Sequence, residues 1–258
     1  MKNQNKIIIV LVAIILILAI TLSFVLVKNN RNKSKDDNKK VESTQSDLSE
    51  EIEDLPDNPK DFESLQQKTP DICGWITIPG IEQIDYPIMQ SALEKDDNFY
   101  LNHNSEGEPA RDGSIYIQKL NSKAFDDPNT VIYGHNMSNN SMFGKLYDGS
   151  SKQFCNKEFF DAHRTIFVYI PGHILEYEII SAFVYDDRHI INSFNVDIEE
   201  ERMDFYVDCL NPPSITKQVL EGATLESDDK IITLSTCTGN PSERYLVIGK
   251  LINDTKTK

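Results

Sequence analysis

Eight short β-rich segments, each closed by turn residues, restrict this chain's fold more than any other feature. They are Trp75 to Ile78, Asp85 to Met89, Ser114 to Ile117, Thr130 to Tyr133, Thr165 to Ile170, Ile174 to Tyr185, Lys230 to Thr236 and Tyr245 to Leu251. Pro79-Gly80 ends the first, Gly113 opens the third and Gly134 ends the fourth, while Pro171-Gly172 reads as a hairpin turn. So many short strands in one body predict a closed barrel, in which every edge strand finds a partner.

Two helices punctuate the series. Phe62 and Leu65 at helical spacing predict a short helix over 61–68. A second is predicted over 197–210, with Asp197 as its cap, Glu200 at the capping-box position and Met203, Tyr206 and Leu210 as the buried stripe.

Ahead of this body lies a different composition. Ile7 to Val27 is a run of 21 residues without a charge. As a helix it would be about 31 Å long, the thickness of a bilayer core. It exceeds the apolar centre of a cleaved secretory signal, and Leu18-Ala19-Ile20 is a poor cleavage site. The expected organisation is a tail over 1–6, a transmembrane anchor over 7–27, a polar stalk over 28–59 and a folded body over 60–258. Two Lys precede the anchor and six Lys or Arg follow it closely. On charge alone that count would leave the body in the cytoplasm.

Charge also narrows function. The chain carries a net charge of −15, and residues 1–40 hold eight basic and two acidic side chains. The remainder therefore has 18 Lys and Arg against 39 Asp and Glu, a net −21. Such a body repels phosphate backbones, so nucleic acid is not the expected partner. Four cysteines are too few for a disulfide scaffold, and none has C-x-x-C spacing. No metal and no cofactor is expected.

Cys73, Cys155 and Cys209 read as small packing residues. Cys237 differs, because it ends the run Ile231-Ile232-Thr233-Leu234-Ser235-Thr236. A strand end holds a nucleophile rigidly and leaves its tip open. His135 also follows a strand, after Val131-Ile132-Tyr133-Gly134, where the glycine permits a sharp exit. His163, His173 and His189 sit in polar or turn contexts and are expected to be exposed. Arg244 opens the last strand, close enough along the chain to fold back beside Cys237 and stabilise an oxyanion.

The tract Thr233-Leu234-Ser235-Thr236-Cys237, with Arg244 after it and Tyr133-Gly134-His135 before it, resembles the sortases, most closely class B. Further similar stretches are Gly74-Trp75-Ile76-Thr77-Ile78-Pro79-Gly80, Ile84-Asp85-Tyr86-Pro87-Ile88, Phe99-Tyr100-Leu101-Asn102-His103, Gly113-Ser114-Ile115-Tyr116 and His135-Asn136-Met137 with Ser141-Met142-Phe143-Gly144. The likeness covers about residues 60–252 in order. Two positions depart from it. Gln118-Lys119 stands where class B members often carry an acidic-aromatic pair, and Thr238 follows the cysteine where some relatives carry an acid.

The resemblance implies a mainly β, eight-stranded sortase-like barrel with an N-terminal helix and a helix before the strand leading to Cys237. It implies a cysteine transpeptidase anchored in the cell membrane of a Gram-positive cell, N-terminus inside and catalytic domain outside, against the local charge count. Cys237 would be the nucleophile, His135 the acid and base, and Arg244 the oxyanion holder, with Leu101, Ser235 and Thr236 lining the substrate groove. Its partners would be secreted proteins bearing an Asn-Pro-x-Thr or Pro-Pro-x-Thr-Gly type sorting signal, and a peptidoglycan precursor amine. Two rival readings are a cysteine protease of the same fold and a non-catalytic anchored binding module. An L,D-transpeptidase would place His beside Cys, whereas here they are 102 positions apart.

Overall fold

The computed structural model describes residues 55–147 and 153–258. The apolar run at 7–27 and most of the polar stretch after it lie outside the described residues. No helix among the described residues is long and apolar enough to cross a membrane.

Nine strands form one sheet: β1 (Ile72–Thr77), β2 (Asp85–Met89), β3 (Ile115–Ile117), β4 (Asn129–Tyr133), β5 (Thr165–Ile170), β6 (His173–Asp186), β7 (Lys217–Val219), β8 (Ile231–Cys237) and β9 (Glu243–Lys256). Their order is β5-β1-β2-β3-β4-β8-β9-β6-β7, and β5 also pairs with β6. That extra pairing closes eight of the strands into a barrel, the eight read from the sequence. The short β7 lies outside the ring, against the far part of β6. It has three residues, Lys217-Gln218-Val219, with no apolar alternation to announce it. β2–β3 and β4–β8 are parallel, and the other pairs are antiparallel.

Local chemistry explains the elements. At Pro171-Gly172, Ile170 pairs with His173 and Gly172 takes φ +80°, which only glycine adopts at little cost. The long β6 carries register shifts at Glu176/Tyr177 and Ile179/Ser181, and such bulges let one strand bend around the barrel. The interior is filled from alternate positions, including Ile76, Ile88, Ile115, Ile117, Ile132, Ile232, Leu234 and Val247.

Four helices accompany the barrel: α1 (Phe62–Lys68), α2 (Lys157–Ala162), α3 (Ile190–Ser193) and α4 (Glu199–Leu210). Asp61 caps α1, its carboxylate accepting from Ser64 N at 3.1 Å. The predicted cap of α4 is not made. The cap residue is Ile198, with no side-chain hydrogen bond, and Asp197 stands outside the helix. Glu199, Glu200 and Glu201 occupy the first turn instead, where negative charge opposes the helix dipole favourably. The buried face of α4 centres on Phe205, Tyr206 and Cys209, with Met203 and Leu210 flanking it half-buried.

The compact unit begins at Pro56. Asn58 Nδ2 donates to Ile170 O at 2.9 Å, so residues expected to end the stalk are already fastened to the barrel.

Candidate active site

Strand register determines which side chains share the barrel's outer face. Tyr116 pairs with Tyr133, Tyr133 with Ser235, and Ser235 with Leu246. Two residues further along β8, Cys237 pairs directly with Arg244. His135 lies two residues beyond Tyr133 and therefore stands level with Cys237. The parallel β4–β8 pairing thus joins residues 102 apart in sequence, and a tight return through the β8–β9 turn supplies the third.

The residues between these strands fix the level. Gly134 N donates to Ser235 O at 3.2 Å, so pairing continues to the edge of the site. Gly134 is not in a left-handed conformation, contrary to the expectation of a sharp exit. Its lack of a side chain is needed for packing: a Cβ there would lie 2.5 Å from Ile115 Cδ1 and 2.7 Å from Phe143 Cδ2. Phe143 is fully buried, and its N–H donates to His135 O at 2.9 Å, folding the 136–144 loop back beneath the histidine.

One contributor escaped the sequence reading. Asn136 Nδ2 donates to Cys237 O at 2.7 Å and to Tyr147 O at 2.8 Å. It thereby ties the histidine loop to the end of the cysteine strand. It was visible only as the residue after His135, with nothing in composition to single it out.

His135 Nε2 lies 2.8 Å from Leu101 O. A carbonyl can only accept, so Nε2 carries the hydrogen and the neutral ring keeps its lone pair on Nδ1. Leu101 belongs to a 3-10 turn, Phe99–Leu101. Tyr100 in that turn donates to Asp71 Oδ2 at 2.7 Å, and Lys95 Nζ approaches the same oxygen at 2.8 Å. Burial pushes the Asp71 carboxyl up, but hydrogen bonds from Lys95 and Tyr100 outweigh it and hold the group below the usual carboxylate range.

Arg244 is steadied by carbonyls. Its Nη1 donates to Pro241 O at 3.0 Å and to Glu243 O at 2.8 Å. Thr238 Oγ1 bonds Glu243 Oε2 at 3.2 Å across the turn between Cys237 and Arg244. Gly239 sits there at φ +95°.

Leu101, His135, Cys237 and Arg244 line one cavity of about 360 Å³. Its floor is Tyr116, Tyr133, Ser235, Cys237, Arg244 and Leu246. The turn with Asn98 and Leu101 forms one wall, and Asp186 to Ile190 form the other. Arg188 folds back onto Asp186, with Nη2 to Oδ2 at 2.6 Å, and its guanidinium lies 5.2 Å from the Tyr185 ring centre. Thr236 also lines the cavity, but strand alternation puts it in the interior row with Leu234, and it is 2% exposed.

The cysteines separate by environment. Cys237 is exposed, Cys155 is half-buried against Tyr245 Oη at 3.3 Å, and Cys73 and Cys209 are buried. Burial pushes the Cys73 thiol up to about 12 and the Cys209 thiol well above its ordinary value, so neither is a thiolate at neutral pH. His163, His173 and His189 are half-buried rather than exposed, each with a partner. His163 stacks on Phe159, His173 Nδ1 lies 2.6 Å from Asp254 Oδ1, and His189 Nδ1 accepts from Asn192 N at 3.2 Å.

Residues 76–252 match the family model for the sortase domain. Sortase B of Listeria monocytogenes is 36% identical over 195 residues, covering 74% of each chain. The structure of sortase B from Bacillus anthracis in complex with AAEK1 superposes with a TM-score of 0.64 at 30% identity, covering 78% of this chain and 91% of that one. A Staphylococcus aureus sortase B–substrate complex also gives 0.64, at 25% identity, covering 86% and 98%. The chain belongs to the sortase family, in its class B, and is a cysteine transpeptidase.

Proposed function

Taking class B membership as the premise, we propose that this protein cleaves a C-terminal sorting signal after Thr and joins the released carbonyl to a cell-wall amine. The observation that carries the reading is the pairing of Cys237 with Arg244 beside His135 on the floor of one cavity.

Cys237, as thiolate, adds to the Thr carbonyl. Arg244, fixed by two carbonyls, stabilises the resulting oxyanion. The carbon–nitrogen bond then breaks, and the leaving amine takes a proton from His135. Because Nε2 is held by Leu101 O, Nδ1 is the nitrogen that takes the Cys237 proton as the thiolate forms and then gives it to the leaving amine. A thioester to Cys237 remains. An incoming amine attacks it, loses a proton to Nδ1, and expels the thiolate. Water in place of the amine would give hydrolysis.

Leu101 acts through its carbonyl on His135 and through its exposed side chain on the groove. Ser235 shares the face of Cys237 and lies under the substrate. Thr236 supports that floor from the interior row. The substrate is a secreted protein with an Asn-Pro-x-Thr or Pro-Pro-x-Thr-Gly type signal, and the acceptor is a peptidoglycan precursor. The run at 7–27 anchors the enzyme with its body outside the cell, where that acceptor is found.

The test incubates the full chain with peptides of both signal types, with and without an amine, and reads the products by mass. Cleavage after Thr, an amine-joined product, and loss of both in Cys237→Ala would support the reading. Cleavage that never yields an amine adduct would favour the protease reading.

A further inference from the structure

The carbonyl that orients His135 is held by contacts of its own. Leu101 O accepts from His135 Nε2 at 2.8 Å, and Leu101 belongs to the turn Phe99–Leu101. That turn is not part of the sheet, so its remaining contacts decide where the carbonyl points.

Two sets of contacts grip it. The first is made by side chains: Tyr100 Oη donates to Asp71 Oδ2 at 2.7 Å, and Lys95 Nζ lies 4.7 Å from the Phe99 ring centre. The second is made by main chain, where the segment returning toward β3 crosses the turn at Gly113 and Ser114. Ser114 N donates to Tyr100 O at 2.9 Å, and Ser114 Oγ donates to His103 O at 2.9 Å.

Gly113 makes the closest approach of this crossing. Its φ is +58°, in the left-handed region that favours glycine. A Cβ there would run into Leu101 O, and would stand 2.7 Å from Tyr100 O and 2.9 Å from Leu101 C. All three are main-chain atoms, so the turn itself would have to shift to make room. Gly107 offers a comparison within the same connection. Its φ is +81°, yet a Cβ there would meet nothing within 4 Å. Both glycines meet the same backbone demand, but only at Gly113 does the missing side chain leave space for the Leu101 carbonyl.

His135 depends on that carbonyl. Proton transfer through Nδ1 requires the ring hydrogen to stay on Nε2, and Leu101 O is the acceptor that keeps it there. We propose that Gly113 and Tyr100 are positioning residues for the reaction, which set the Leu101 carbonyl where it holds His135 in the Nε2–H tautomer. The assignment rests on the transpeptidase mechanism above and gives neither residue a contact with substrate.

The experiment compares wild type, Gly113→Ala, Gly107→Ala and Tyr100→Phe in the full chain. Single-turnover release of the C-terminal fragment from sorting-signal peptides of both types gives the saturated rate and the half-saturating concentration separately. NMR of labelled histidine nitrogens, with His135 assigned through His135→Gln, reads the tautomer of the neutral ring without turnover, and thermal melting confirms folding. In Gly113→Ala the saturated rate should fall about ten- to a hundredfold with the half-saturating concentration little changed, and the His135 signals should move toward a mixture of tautomers. Gly107→Ala should lower the melting temperature while rate and tautomer stay as in wild type. Tyr100→Phe keeps the ring but loses the bond to Asp71. It should change rate and tautomer in the same sense, by about three- to tenfold in rate, and it decides the question if Gly113→Ala does not fold. An equal fall in rate for both glycine variants, a raised half-saturating concentration at an unchanged rate, or an unaltered tautomer would each overturn the assignment. If wild type released no fragment from any peptide, the transpeptidase mechanism itself would fail, while the tautomer comparison would still decide whether Gly113 and Tyr100 orient His135.

Discussion

The outer face of β4, β8 and β9 is one continuous surface used in two ways. Toward Val131, Ile231 and Ile248 it is covered by α4, whose Phe205, Tyr206 and Cys209 are completely buried against it. Toward Tyr133, Ser235, Cys237 and Arg244 the same strands lie bare and form the floor of the cavity. Cover decides the chemistry. The thiol under the helix, Cys209, is pushed up by burial and is inert, whereas the thiol past the edge of cover, Cys237, is exposed. Apolar burial stabilises one half, at about 25 cal/mol per Å². The other half keeps polar groups that a stable core would not hold.

Cysteine substitutions break this comparison most sharply. Cys237→Ala should reduce signal-peptide cleavage by at least about a thousandfold, since the nucleophile is lost, with little change in melting temperature. Cys209→Ala should do the reverse, lowering the melting temperature while leaving turnover of the folded enzyme intact.

Removing the cover comes next. Phe205→Ala should destabilise the protein by about 3–5 kcal/mol, because it empties a fully buried ring site between α4 and the sheet. Denaturant unfolding measures this, and an unchanged midpoint would mean α4 does not hold the covered half. In the bare half, Arg244→Ala should lower kcat/KM roughly a hundred- to thousandfold while unfolding stays near wild type. A fall in stability without a fall in rate would reassign Arg244 to structure.

Asn136→Ala tests the join between the histidine loop and the cysteine strand. It leaves the Cys237 and Tyr147 carbonyls without the amide that bridges them. A loss of about 1–3 kcal/mol and a lower kcat with KM little changed are expected. The smallest effect concerns pH. The Asp71 carboxyl is held below its ordinary range in the fold, so the stability it contributes is complete above about pH 3.9 and is lost as pH falls through the lower folded value. Asp71→Asn should flatten that part of the acid limb in melting experiments between about pH 2 and pH 4. An unaltered limb would show that Asp71 does not fasten the Tyr100 turn.

Much of the barrel was legible because strands announce themselves locally. β-rich runs bounded by turn residues marked all eight ring strands, and Phe62 and Leu65 at helical spacing marked α1. The missed elements carry little local signal: β7 is three residues long, and α2 and α3 are single short helices whose sequences have no extended apolar period. Asp197 has the right chemistry for a cap. The helix nevertheless begins after Ile198, because burial of Phe205 and Tyr206 sets its phase rather than the cap.

By itself the sequence determined the strand set and, through the ordered motifs, the family, and it nominated His135, Cys237 and Arg244 as the candidate site. Those follow from short-range rules, in which a residue's neighbours within a few positions decide its conformation. Only the tertiary structure decided that Tyr133 pairs with Ser235 and Cys237 with Arg244, that Asn136 bridges to Cys237, and that Leu101 turns His135 so that Nδ1 keeps the lone pair. Strand register and hydrogen bonds between distant segments follow from closing the barrel and burying its interior as a whole, and no local stretch of residues encodes them.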